Sequence, residues 1–554
     1  MSKSTTRPHS NLSTALRIFL FLLCMTFFLY LQFRVQVQNG FTVLYGDGYD
    51  AAIVVAILEH WLSVWHGASQ WSELYYFYPY KNTLAQTDGY FIVGIIYSVI
   101  RSLGLDPFIS SELSNAVIKC IGFVSFFCML RKVFNVNFYW SILAAGLFMI
   151  ANNLTSHGTR VQLATLAFAP IVTTLLWATY QQMLQGGKYK LALYGCSAAV
   201  ILGAWALTCF YITWFYIFFA TFFVAFLLLV SSQDARIQFW HNVKIYWLPL
   251  TIVAAVTILS ILPLLAIYLP KAAESGFRSY DSALGFTVPP AGVLQIGESN
   301  LLFGELYNKA LKILIPSYTW EGEYYNTGIA PIIFILFIFA SASIISHQAS
   351  ADQKSLLRAC VMATFATWIL IIRIDGHSLW YFVFNYFPGA KALNVVAAYQ
   401  IFLTFPIVTV CAVYLSRMSP RLPASILLIL VIMLIGEELN RAKISLDRQA
   451  EIQKVSNIPA APAGCEVFYV SGWPVQTSLV EKIYAHNVSA MVIAELIKMP
   501  TINGFASFNP PDWNLADPNS LDYEARVATY LANHKIHNTC KLDLASKTWH
   551  PVVR

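Results

Sequence analysis

Eleven apolar runs alternate with short polar connections along this 554-residue chain, near residues 15–35, 112–130, 137–152, 161–183, 189–206, 209–231, 244–269, 327–346, 357–374, 395–417 and 422–437. A helix crossing a bilayer upright needs about 20 apolar residues, so the shorter runs have soft boundaries. The pattern predicts an α-helical polytopic membrane protein with about eleven transmembrane helices. The first run follows a polar start, residues 1–14, with Lys3 and Arg7. It is too long for a signal-peptide core and lacks a small-residue cleavage pattern, so it reads as a retained first span.

Loop charge orients this layout. With the N-terminus in the cytoplasm, Arg131 and Lys132, Lys188 and Lys190, the 236–244 loop, Lys354 with Arg358, and Arg417 with Arg421 all fall inside. Basic short loops belong on that side. The segments 36–111, 152–160, 270–326 and 375–394 then lie outside, as does the tail 438–554. Gly89 to Ile100 is apolar but only about a dozen residues long, which favours a re-entrant or interfacial helix over a span. Within the first external segment, Tyr49 to His66 places Ile53, Ile57, Trp61 and Val64 at helical spacing, and a helix along the membrane surface is expected there. The membrane part thus covers 15–437. The tail reads as a small extracytoplasmic α/β domain, with strands at Cys465–Ser471 and Cys540–Leu544, a helix at Asp522–His534, and a linker at Pro459–Pro462.

Composition agrees. Hydrophobic residues make up 57% and charged residues 11% of the chain, against about 25% charged in a soluble domain. The formal charge of +7 is explained by cytoplasmic helix ends and does not point to nucleic acid. The cysteines lie mostly in apolar runs, where they act as small hydrophobes. Cys465 and Cys540 differ: both fall in the polar tail, where an oxidising compartment would allow a disulfide. No CxxC or His-rich pattern suggests zinc.

The candidate chemistry starts right after the first span, with Tyr45-Gly46-Asp47-Gly48-Tyr49-Asp50. Two carboxylates three apart at a helix start fall on one face. Glycines at 46 and 48 permit close approach to a ligand. A carboxylate next to the membrane is costly to desolvate and tends to serve a partner or a reaction. The plain alternative is that Asp47 or Asp50 only caps the following helix.

The surrounding motifs add to this. Glu59-His60-Trp61, Phe77-Tyr78-Pro79-Tyr80 and Asn82 to Asp88 follow in order; His157 to Gln162 leads to Phe168-Ala169-Pro170; Glu321 to Gly328 and Tyr386-Phe387-Pro388-Gly389 each precede a helix. This order, with Pro500 to Gly504 and Pro510 to Trp513 in the tail, resembles bacterial members of the GT-C superfamily, membrane glycosyltransferases that use polyprenyl-phosphate sugar donors. The resemblance implies transfer of a sugar from such a donor to a glycan, lipid or protein acceptor outside the cytoplasm, in a cell-envelope pathway at the bacterial inner membrane. Asp47 is then the candidate base, with Asp50 second. Asp88, His157, Arg160, Glu323, Arg373 and Lys391 are candidates for holding the substrates, the cations for the donor phosphate. Many such proteins have arginine where this chain has Lys391, and lysine cannot make the bidentate phosphate contact. Arg160 and Arg373 could instead snorkel at helix ends, His157 could cap its loop, and Glu321 and Glu323 could sit in a solvated loop. Asp47, Asp50 and Asp88 could bind a divalent ion through oxygen, but most families resembled work without one, and no metal or other cofactor is expected beyond the lipid-linked donor.

Two other classes compete. A transporter or lipid flippase would bury ionisable groups at mid-membrane, whereas here Lys119 is the main charge inside a span and acidic residues gather at the outer ends. A non-catalytic scaffold presenting the tail leaves the elaborate first loop unexplained.

Overall fold

The computed structural model describes residues 13–316, 318, 323–346, 352–441, 444–472 and 479–553. Helix occupies every one of the eleven apolar runs. Among the described residues, eight helices are long and apolar enough to cross a membrane: Thr14–Gln38 (α1), Pro107–Lys132 (α4), Phe138–Ser156, Val161–Gln185, Lys188–Thr208, Phe210–Val230, Trp247–Ser275 and Val396–Arg421. The other three runs hold the helices Pro331–Ser346, Asp352–Leu370 and Ala424–Glu437. Between α1 and α4 lie two further helices, Asp50–Trp65 (α2) and Phe91–Arg101 (α3).

Local chemistry fixes several of the helix ends. Asp106 caps α4, its carboxylate accepting from the amides of Phe108 (3.1 Å) and Ile109 (3.2 Å), with Pro107 at the first position, where its missing N–H costs nothing. Asn137 caps the helix after it in the same way, through the Trp140 amide at 3.0 Å. The helix Tyr399–Met418 is the centre of the bundle and is buried nearly throughout. Its Phe405 meets the stacked pair Phe126 and Phe148, whose ring centroids are 4.5 Å apart. Such rings bury large areas and supply the directional contacts of the core.

The connections 36–111, 152–160, 270–326 and 375–394 gather with the tail at one end of the bundle. Gly46 pairs with Ile444 and Asn300 with Asn440 as backbone bridges, Arg448 reaches Asp106 at 2.5 Å, and the Arg278 guanidinium donates to the Ser507 carbonyl at 2.6 Å. At 11 residues, α3 is far shorter than a span.

The surface placement expected for α2 does not hold. Ala56, Ile57, Leu58 and His60 are fully buried, because α2 packs against α3, α4 and the tail helix Leu479–Ile497. Ala51, Ala52, Val54 and Val55 extend its apolar surface beyond one stripe, and a helix apolar on most sides belongs inside the protein.

In the tail, Val467–Ser471 pairs in parallel with Thr539–Asp543, which pairs antiparallel with Thr548–Val553. Tyr523–Asn533 is the expected helix. Leu479–Ile497 and the third strand were not foreseen. Pro459 and Pro462 are tied into the tail, their carbonyls accepting from Trp549 Nε1 (2.9 Å) and the Cys465 amide (3.1 Å). The tail is stitched to the first loop by backbone bonds from Phe77 to Asn503 and from Tyr78 to Thr501. The Cys465 and Cys540 sulfurs are bridged across neighbouring strands, with Cα atoms 5.7 Å apart.

Candidate active site at the loop end of the bundle

The acidic turn is built by close packing. Gly46 has φ +108°, and a Cβ there would lie 2.6 Å from the Thr159 methyl; a Cβ on Gly158 would lie 2.7 Å from the Tyr45 ring. The two glycines therefore press residues 45–50 against residues 157–160. The close approach is to the protein itself rather than to a ligand, and a Cβ on Gly48 would likewise meet Glu451.

Asp47 and Asp50 do not share a helix face, since α2 begins only at Asp50. Asp47 sits before it and accepts through Oδ1 from the amides of Tyr49 (3.1 Å) and Asp50 (3.0 Å). This is the capping role weighed against function, yet it engages one carboxylate oxygen alone; Oδ2 has no hydrogen-bond partner among the described residues. Asp50 Oδ2 accepts from Arg160 Nε and Nη2, both at 3.1 Å, and each side chain of this pair is about a third exposed.

Asp88 closes the third side. It precedes α3, is half-buried, and accepts through Oδ1 from the Phe210 amide at 3.0 Å, with Cys209 Sγ 3.8 Å from Oδ2. Burial pushes its carboxyl up to about 6, although the Phe210 amide, Gln162, Cys209 and Arg160 all favour the charged form. The buried Tyr90 phenol is held well above its ordinary value, first by burial and then by negative neighbours that include Asp88 and Asp50. Asp50, Asp88 and Arg160 thus share one electrostatic neighbourhood.

The remaining predicted residues divide. Lys391 is exposed, and its carbonyl accepts from the Arg278 amide at 3.3 Å. Arg278 lies with its guanidinium 4.5 Å from the Phe508 ring centroid and within electrostatic reach of Tyr211, which also senses Asp88. These contacts extend the cluster toward a second cation that sequence reasoning missed. Its signal was available: Arg278 is a cation three residues after the end of the helix Trp247–Ser275. Arg373 stands apart. Its Nη1 donates to the carbonyls of Leu284 (2.9 Å) and Gly285 (3.2 Å), ending the short helix Tyr280–Gly285, and its guanidinium lies 5.8 Å from the Tyr324 ring. A cation at a helix C-terminus meets unpaired carbonyls. His157 is buried, with Nδ1 2.8 Å from the Asn153 carbonyl. Glu321 and the Glu323 side chain lie outside the described residues. Among those described, no group of three or more His, Cys, Asp or Glu side chains is arranged to hold a metal.

No family model and no curated protein matches this sequence. Solved structures do. The mycobacterial arabinofuranosyltransferase AftD aligns with 91% of this chain and 32% of its own length, at 12% identity and a TM-score of 0.50. The oligosaccharyltransferase of Archaeoglobus fulgidus aligns over 95% of this chain and 70% of its own, at 11% identity and a TM-score of 0.48. The fold is GT-C-like. At these identities the likeness concerns architecture, and this chain spans about a third of the arabinofuranosyltransferase's length.

Proposed function

We propose that this protein is a GT-C-type glycosyltransferase that moves a sugar from a polyprenyl-phosphate-linked donor to a glycan, lipid or protein acceptor on the extracytoplasmic side of a bacterial inner membrane. The observation that carries this reading is the pairing of Asp50 with Arg160 beside half-buried Asp88, at the end of a GT-C-like bundle where all the long connections meet.

In the reaction, an acceptor hydroxyl attacks the anomeric carbon of the donor sugar. Its proton passes to Asp47 Oδ2, a new C–O bond forms, and the bond from the anomeric carbon to the phosphate oxygen breaks. The departing phosphate keeps the electron pair. A base contributes about 10²–10⁴ in rate, and Asp47 suits the role because two amides fix one oxygen and leave the other open. Charge developing on the phosphate is met by Arg160, oriented by Asp50, and by Lys391 with Arg278. Two cations there offset the departure from arginine at 391, since together they can surround a phosphate that one lysine meets only as a point charge. His157 and Arg373, engaged with backbone carbonyls, act as supports of the loops.

Mass spectrometry of the lipid extracted from gently purified protein tests the donor. A polyprenyl phosphate or its glycosylated form should accompany the wild type and be depleted in Arg160→Ala with Lys391→Ala. Equal amounts in both proteins, or none in the wild type after reconstitution with the synthetic donor, would overturn the proposal.

A further inference from the structure

Between the acidic turn and α4 lies a small cavity of about 20 Å³. A water-sized sphere needs roughly 10–15 Å³, so the cavity holds one or two small occupants. Tyr45, Ser111, Glu112, Asn115, Gly158 and Thr159 line it, with apolar residues of α2 and Phe108 behind them. Three of the polar residues are deeply buried, Glu112 at 5% exposed, Asn115 at 2% and Thr159 at 8%, while Ser111 is half-buried.

The hydrogen-bond inventory of this lining is one-sided. Asn115 donates through Nδ2 to the Gly158 carbonyl at 3.3 Å, and its Oδ1 has no partner. A flipped amide would set oxygen against that carbonyl, so the orientation is fixed by chemistry. Thr159 Oγ1 is likewise unpartnered. Glu112 accepts from Gln36 Nε2 at 2.8 Å, with the Tyr45 amide also in reach, and no lysine, arginine or histidine pairs with it among the described residues. A bare cation can meet the Glu112 carboxylate, Asn115 Oδ1 and the Thr159 hydroxyl oxygen together, with the hydroxyl proton turned away from it. A buried carboxylate without counter-charge is costly, and so are buried oxygens without donors.

The geometry points to a monovalent cation of sodium's size, bound through the Glu112 carboxylate, Asn115 Oδ1 and Thr159 Oγ1. Oxygen-only ligands suit a hard cation, and one carboxylate balances one positive charge. The site has a structural consequence. Asn115 holds the Gly158 carbonyl and Tyr45 lines the same cavity, so the occupant links the segments before Asp50 and Arg160 to α4. This inference stands whether or not the transfer reaction is correct, because binding is read without turnover.

The test is the thermal midpoint of the purified full-length protein, titrated with sodium chloride against N-methylglucamine chloride at equal ionic strength. The midpoint should rise saturably with sodium, Glu112→Gln should flatten the response, and Asn115→Ala should shift its half-point to about tenfold higher sodium, the loss of one ligand. Identical midpoints in the two salts would overturn the site, and so would an undiminished sodium response in Glu112→Gln. An ordered water as occupant gives that first result. Should Glu112→Gln fail to fold, an unchanged sodium half-point in Asn115→Ala is itself decisive against the proposal.

Discussion

Two clusters of acidic and amide side chains sit at the same end of the helix bundle, and they are wired differently. In one, Asn152, Asn300, Asn440, Glu437 and Glu438 are all buried. Glu437 accepts from the amides of Ile332 (2.7 Å) and Ile333 (2.8 Å), capping the helix Pro331–Ser346, while Glu438 takes the Asn152 amide at 2.5 Å. Asn152 Oδ1 accepts from Asn300 and Asn440, each at 2.9 Å. No fully buried side-chain polar atom of these five lacks a partner, although Glu438 is engaged through Oε2 alone. The other cluster, Asp47, Asp50, Arg160 and Asp88, keeps partial exposure and leaves Asp47 Oδ2 open. The lesson concerns burial rather than composition: a network enclosed in the bundle and paired at its buried atoms holds helix ends together, whereas one with an open oxygen and carboxylates at the edge of solvent can meet a substrate.

Several substitutions should separate the two clusters. The largest effect is expected from Arg160→Ala, which removes a cation from the departing phosphate and should lower turnover by about 10²–10³-fold. The thermal midpoint should move little, since its ion pair with Asp50 is partly exposed. Asn440→Ala should do the reverse. Unpairing acceptors around Asn152 and Ser156 costs about 1–3 kcal/mol, read as a lower denaturation midpoint with turnover per folded molecule retained.

A smaller effect follows from Asp88. Its folded carboxyl titrates near 6, above the ordinary value of 3.8, so between these values the folded state holds more protons than the unfolded. Stability from this group is therefore fully present below the unfolded value and falls as pH rises through that window. Asp88→Asn, which can still accept from the Phe210 amide, should show a flatter midpoint-against-pH curve between pH 4 and about 6 than the wild type. An unchanged slope would remove Asp88 from the cluster. The smallest effect belongs to the exposed pair Lys309 and Glu305: Lys309→Ala should change stability by about 0.3–0.5 kcal/mol and turnover not at all.

Much of the architecture was legible because it rests on length and period. Apolar runs predict helices, and α3 was too short to span. The tail strand expected at Cys465–Ser471 follows from the β-branched and aromatic run Val467-Phe468-Tyr469-Val470, and the one expected at Cys540–Leu544 forms one residue earlier, at Thr539–Asp543. The placement of α2 was not legible, since apolar residues on both its faces are equally consistent with lipid and protein, and its cover comes from Leu479–Ile497, more than 400 residues away in sequence. At the site, the glycine-flanked carboxylates announced themselves, but partner choice did not. Asp50 and Arg160 are 110 residues apart, and nothing local distinguishes Arg160 from Arg373, which spends its guanidinium on helix carbonyls. Arg278 was visible as a cation just past a long apolar helix, but its nearness to Lys391 depends on a backbone contact between distant loops.

Asp47 carries the central claim. In proteoliposomes supplied with a radiolabelled polyprenyl-phosphate sugar and membrane-derived acceptors, wild-type protein should move label from the donor lipid into acceptor. Asp47→Asn, which can still accept the amides of Tyr49 and Asp50, should keep its thermal midpoint while transfer falls by about 10²–10⁴-fold. Transfer by Asp47→Asn at the wild-type rate would contradict the assignment of the base, and label retained in the donor lipid by both proteins would contradict the reaction itself.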